Sequence, residues 1–363
     1  MILPSVGLWK LPSTKLFLDF SRDLASSLKH KYFEGKVTDI QKDSGNSNFQ
    51  VWLKDANGNQ YSNTIIAKSI ILATGTVGKP IVPKALQNIS SPCVFQWNDL
   101  NKRIENLKLE NNTNHRVLVV GGGLTAVQAA QKLGAASFHV TICSRKQLVE
   151  RHFDIPVKWF DEREALVHQS QFYHEPFEKR LKALKSTRGG GTIPPVYMNG
   201  IREMRNRGML KMKVGEIISV TESCDSAISV RFSCDSNEKS TKEELQFDAI
   251  VLACGVKPDI LAHPLLSRVY DEWPIEIQGG FPLVSEDLQW TENLFVVGGA
   301  ASLAVGPDSA NLMGIARAAE TVGNALNSKT WLREKNTNVL KNPFDAFLDS
   351  DSSSTEDDDD ERL

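Results

Sequence analysis

The residues best placed to do chemistry in this chain are Gly121, Gly122 and Gly123, followed directly by Leu124, Thr125 and Ala126. Four aliphatic residues, Val117, Leu118, Val119 and Val120, precede them and read as a buried strand. Apolar residues at Leu124, Val127, Ala130 and Leu133 follow at helical spacing, and Gly134 sits where that helix would stop. His139 to Ile142 then read as a second strand. Strand, turn, helix and strand thus frame the pattern G-x-G-x-x-A at Gly121, Gly123 and Ala126. The first glycine permits a tight turn, the second lets backbone approach a pyrophosphate, and Ala126 lets the helix pack on the strand. Unpaired amides at the helix N-terminus would face the phosphates, so the chemistry is dinucleotide binding.

The end of the second strand indicates which dinucleotide. An NAD site commonly carries Asp or Glu there, bound to the ribose 2′-hydroxyl. This strand instead ends Cys143-Ser144-Arg145-Lys146, with no carboxylate until Glu150. A guanidinium fork and a hydroxyl suit a 2′-phosphate, so Ser144 and Arg145 point to NADPH. The plainer alternative makes Arg145 and Lys146 a solvated loop.

Positioning these residues takes a larger frame, and the chain contains one twice. Phe49 to Leu53, a turn at Asp55 to Gly58, Tyr61 to Ala67 and a buried strand ending Ala73-Thr74-Gly75 give one copy. Ile228 to Ser233, a polar stretch, Leu245 to Phe247 and a strand ending Ala253-Cys254-Gly255 give the other, and each leads to a proline, Pro80 or Pro258. The spacing predicts two dinucleotide-binding modules. The second has its glycine loop at Gly121, 132 residues before Ala253. The same interval counted back from Ala73 falls upstream of Met1, so the first module is expected to be present only as its later half.

The order of parts resembles the two-dinucleotide-binding-domain flavoproteins, and within them the flavin-dependent monooxygenase branch that includes the N-hydroxylating lysine and ornithine enzymes. The resemblance rests on Ala73-Thr74-Gly75 with Pro80 and Pro83, the loop with Ser144 and Arg145, the Phe247 to Gly255 strand, and a closing segment. That segment runs Asn293 to Ala300 and then Gly306 to Leu312. The resemblance implies FAD on the first module, contacted by Ala73, Thr74, Gly75, Gly298, Gly299 and Asn311, and NADPH on the second to reduce it. It also implies that the helix after Asp308 or Ser309 points its positive end at the flavin; an amphipathic core helix would look the same in sequence. Gly299-Ala300 stands where many members place an Asp, and Cys93 to Trp97 carries no histidine, which leaves the catalytic subclass and the catalytic residues open.

Composition fits this frame. With 363 residues, 41% hydrophobic and 24% charged, the chain suits a globular protein of two domains. No stretch has the apolar length of a membrane span, and the N-terminus does not read as a signal peptide. Five cysteines show no C-x-x-C and no zinc-like spacing with histidine, which favours a reducing, cytoplasmic setting and no metal. Residues 349–363 hold eight acids and one base and read as a disordered tail; the remainder, with 41 basic and 36 acidic residues, lacks the basic stripe of a nucleic-acid binder. Residues 153–207 read as an insertion on the substrate side, in which Arg188 to Gly191 is equally a plain flexible turn.

The expected fold is α/β, a Rossmann-like NADP-binding domain at 114–256 inserted in a partial FAD/NAD(P)-binding domain built from 1–100 and 257–328. A linker is expected at 101–113, and a linker with the acidic tail at 329–363. The expected activity is hydride transfer from NADPH to FAD and oxygenation of a small molecule. The alternative is a truncated or degenerate member that binds NADPH without catalysis and has a regulatory role.

Overall fold

The computed structural model describes residues 13–328 except 29, 44, 46, 56, 61–63, 110–114, 160, 162, 189, 223–226 and 234–242. Its centre is a five-stranded sheet in the order Leu210–Val214, His139–Ser144, Arg116–Val120, Ala249–Leu252 and Val94–Gln96. Every neighbouring pair is parallel. Parallel sheets are covered on both faces, which is why the central strand is a continuous aliphatic run. On one face lie the helices Leu124–Ala135 and Pro195–Asn206, which bring Val127, Ala130, Leu133, Met198 and Ile201 against Val117 and Val119. On the other lies an antiparallel sheet of Ile217–Glu222, Ile228–Phe232 and Glu244–Phe247, whose Val230, Phe232 and Phe247 pack on Leu118, Val120 and Ile250. The α/β expectation holds.

Gly134 does not end its helix, which continues to Ala135. A Cβ on Gly134 would lie 2.4 Å from the Met204 Cε of the facing helix, so this glycine permits close helix packing. The turn is made three residues on, where Ser137 takes φ 68°.

A second core gathers Phe49, Leu72, Leu294, Phe295, Val296, Ala318 and Val322. Lys36–Lys42, Phe49–Lys54 and Ile65–Ala67 form an antiparallel sheet, while Ile70–Leu72 lies parallel to Leu294–Val296. Asp55 makes the hairpin turn by accepting the Asn57 and Asn59 amides at 2.9 and 2.8 Å, and those bonds lower its carboxyl pKa. The two segments that follow the Ala-x-Gly ends pair with each other, Gly78–Pro80 antiparallel to Val256–Pro258. Both crossings between the cores therefore share one short ribbon.

Three boundaries differ from expectation. Val94–Gln96, placed in the first module by sequence, is the edge strand of the central sheet beside Ala249–Leu252. The described part of the expected linker is the helix Leu100–Leu109, anchored by Leu100, Ile104 and Leu107 in the core beneath Val117. The insertion is also shorter than 153–207, because Pro195–Asn206 is the crossover helix that leads to Leu210–Val214. The acidic tail lies outside the described residues.

Candidate cofactor site

The glycine loop hangs between two strand ends. The Gly121 amide donates to the Cys143 carbonyl at 2.9 Å and the Ala253 amide to the Val120 carbonyl at 2.8 Å. Gly121 has φ +153°, and a Cβ there would come within 2.2 Å of the Ala253 carbonyl oxygen. Only glycine meets both demands. A Cβ on Gly122 would press the Ser144 Cβ at 3.1 Å, so the loop touches the strand that carries Ser144 and Arg145. Gly123 precedes the helix with no side-chain cap, and its carbonyl accepts from Ala126 at 3.0 Å and Val127 at 3.2 Å. The amides of Leu124 and Thr125, in the first turn, have no intrahelical carbonyl to meet.

At the strand end the two expected 2′-phosphate ligands part company. Ser144 is buried and its hydroxyl donates to the Lys146 carbonyl at 2.7 Å. A hydroxyl has one O–H, and here it is spent on backbone, leaving only acceptor lone pairs for a ligand that needs donors. Arg145 is exposed. Its charge reaches Cys254 beside the loop, opposing the burial that raises that thiol's pKa. Burial likewise pushes the Cys143 thiol up to about 11. Glu150, the first carboxylate after the strand, is held by Arg202 at 2.5 Å.

Part of the other predicted set also comes together. Gly299 packs on Thr76, whose Oγ1 would lie 2.6 Å from a Gly299 Cβ, so the Ala73-Thr74-Gly75 turn and the Gly298-Gly299 strand end are neighbours. Gly75 has φ +73° and Gly298 φ +72°, and a Cβ on either would meet nothing within 4 Å. The Thr74 hydroxyl is buried without a protein partner. Open space above left-handed glycines and an orphaned hydroxyl beneath it fit a cofactor laid against these strand ends. Gly255 repeats the geometry in the second copy, with φ +83° and open space.

Asn311 precedes the helix Leu312–Ser328, whose Ala318 shares a core with Ala300 and Ala301. The helix starts later than expected, at Leu312, and Asp308 and Ser309 make other contacts. Asp308 pairs with Arg317 at 2.6 Å and Ser309 bonds the Ser302 hydroxyl at 2.7 Å.

Three contacts had no signal in residue spacing: Thr76 on Gly299, Arg202 on Glu150, and the bonds of Arg180. Arg180 lies against the Phe172, Tyr173 and Phe177 rings and donates to the Leu303 carbonyl at 3.1 Å, joining the insertion to the closing segment.

Residues 10–258 match the model of the L-lysine 6-monooxygenase/L-ornithine 5-monooxygenase family. The chain belongs to that family. Its members are FAD-containing, NADPH-using monooxygenases, in agreement with the resemblance read from the motifs. No curated protein sequence matches significantly. Among solved structures, the reduced form of the ornithine hydroxylase of Pseudomonas aeruginosa is 16% identical with TM-score 0.68, over 89% of this chain and 77% of that one. The ornithine N-hydroxylase of Kutzneria sp. 744 is 17% identical with TM-score 0.67, over 88% and 78%. The L-lysine 6-monooxygenase of Pseudomonas syringae is 20% identical with TM-score 0.62, over 85% and 73%. Among the described residues no helix is long and apolar enough to cross a membrane, and no cluster of His, Cys, Asp or Glu could hold a metal ion.

Proposed function

We propose that this protein is an NADPH- and FAD-dependent monooxygenase that hydroxylates the terminal amine of a lysine- or ornithine-like substrate. The observation that carries the cofactor assignment is the glycine loop at Gly121 to Gly123 beside an exposed Arg145, with the nearby Glu150 already paired to Arg202. The amides of Gly122, Gly123, Leu124 and Thr125 would hold the NADPH pyrophosphate, with Ala126 allowing the helix its close seat. Arg145 would hold the 2′-phosphate, and Ser144 would shape the strand end beneath it. Ala73, Thr74, Gly75, Gly298, Gly299 and Asn311 would line the flavin. The bound pair supplies hydride transfer and oxygen activation, while the protein supplies binding, orientation and electrostatics.

We read the first module's share of the FAD site as incomplete among the described residues. Ile70–Leu72 has a strand on one side only, whereas its counterpart Ala249–Leu252 lies between two, one of them bearing the glycine loop. Ile71, on that strand, is 49% exposed. An apolar strand edge of this kind calls for a covering partner. In our reading a strand and glycine loop encoded upstream of Met1 complete this edge and clamp the FAD pyrophosphate. The test compares the 363-residue chain with one extended by that upstream coding sequence. The shorter chain should bind NADPH and purify without flavin. The extended one should be yellow and form a hydroxylamine from lysine, ornithine or a related diamine. Stoichiometric FAD on the 363-residue chain would overturn the incomplete site, and NADPH oxidation with no amine product would overturn the reaction.

A further inference from the structure

The glycine-rich stretch of the insertion is fixed directly on the phosphate loop. A Cβ on Gly191 would lie 2.5 Å from the Gly123 Cα, 2.9 Å from its nitrogen and 3.2 Å from the Gly122 carbonyl oxygen. These are backbone atoms, so no side chain can swing away to make room. The stretch is held in place on its C-terminal side. Thr192–Ile193 pairs in parallel with Val149–Glu150, and the Arg151 amide donates to the Ile193 carbonyl at 3.0 Å. Ile193 is fully buried in the core beneath the loop helix. Preceding it, Gly190 takes φ +89° with open space around it, which lets the chain turn into this seat.

We infer that Gly191 is a positioning residue for the dinucleotide, with the strap around it forming the second wall of the pyrophosphate groove opposite the helix N-terminus. Gly191 contacts the loop at Gly123, the glycine whose backbone a pyrophosphate must approach. A side chain at Gly191 forces strap and loop apart, which moves either the wall or the amides that point at the phosphates. The ribose 2′-phosphate, held at Arg145 on the neighbouring strand end, is outside this contact. This inference rests on the NADPH reading above.

The test separates the two ends of the nucleotide with two probes, NADPH and adenosine 2′-monophosphate, which has the 2′-phosphate and no pyrophosphate. Affinities are measured by calorimetry on the unmutated chain, Gly191→Ala, and a variant with one glycine inserted after Gly190. The insertion slackens the strap without adding a Cβ and serves where Gly191→Ala unfolds. The expected result is at least a tenfold loss of NADPH affinity in each folded variant, with adenosine 2′-monophosphate binding unchanged. Unchanged or tighter NADPH binding overturns the strap's role, as does an equal loss of both probes. Failure of the unmutated chain to bind either probe refutes the NADPH assignment itself.

Discussion

Replacing Arg145 with alanine should abolish most of the preference for NADPH over NADH while sparing NADH. The two cofactors differ only in the 2′-phosphate, so their affinity ratio isolates the contacts to that group. Ser144 has given its O–H to the Lys146 carbonyl, which leaves Arg145 as the guanidinium donor at the strand end. A hydrogen bond to a charged group contributes about 1.5–3 kcal/mol. Arg145 is exposed and its charge is screened, so the lower end applies, about 1.5 kcal/mol, or roughly tenfold in affinity. Fluorescence titration of the unmutated chain should therefore give at least a tenfold preference for NADPH, narrowing as salt is raised. Arg145→Ala should bring the two affinities close together by weakening NADPH alone. Glu150→Gln is the control. Its partner Arg202 is half exposed, the pair contributes less than about 1 kcal/mol, and the preference should stay as it was. Equal affinities in the unmutated chain would refute the reasoning, as would Arg145→Ala weakening NADH as much as NADPH.

Gly121→Ala and Gly255→Ala both place alanine at positive φ, +153° and +83°, but only the first also drives a Cβ into the Ala253 carbonyl. Urea unfolding should find Gly121→Ala less stable than Gly255→Ala by about 1–3 kcal/mol, and a reversed order would refute the close approach. Burial raises the Cys143 pKa from 9.0 to about 11, so the fold favours the protonated thiol. That contribution is complete below pH 9 and is lost as the pH rises toward 11. Cys143→Ala should flatten the alkaline fall of the unfolding midpoint, and an unchanged profile would count against it. Arg180→Met keeps much of the apolar stem while deserting the Glu175, Tyr173 and Leu303 carbonyls. It should cost about 1–3 kcal/mol and speed proteolysis between residues 155 and 188; an unchanged cleavage rate would show that the insertion is held by its apolar core alone.

What was legible in the sequence was local. The unit from Val117 to Arg145 declares itself because a strand buried on both faces must be aliphatic throughout and the helix beside it must repeat its apolar residues at helical spacing. Its glycines were legible for the same reason, since the turn at Gly121 is closed by neighbours the pattern already implies. Gly134 shows the limit. In spacing it looks like a stop signal, and only the Met204 side chain, brought over by a helix some seventy residues on, gives it a packing role instead. Val94–Gln96 was misassigned because a three-residue edge strand has no period to read, and its place depends on pairing with Ala249–Leu252 far along the chain. Arg202 on Glu150 and Gly191 on Gly123 belong to the same class. Each joins residues more than fifty positions apart through the one crossover that runs from His139–Ser144 to Leu210–Val214. The phosphate loop is thus a short-range motif in its backbone and a long-range assembly in its walls. Motif reading therefore names the nucleotide, and the folded crossover sets how closely the nucleotide is held.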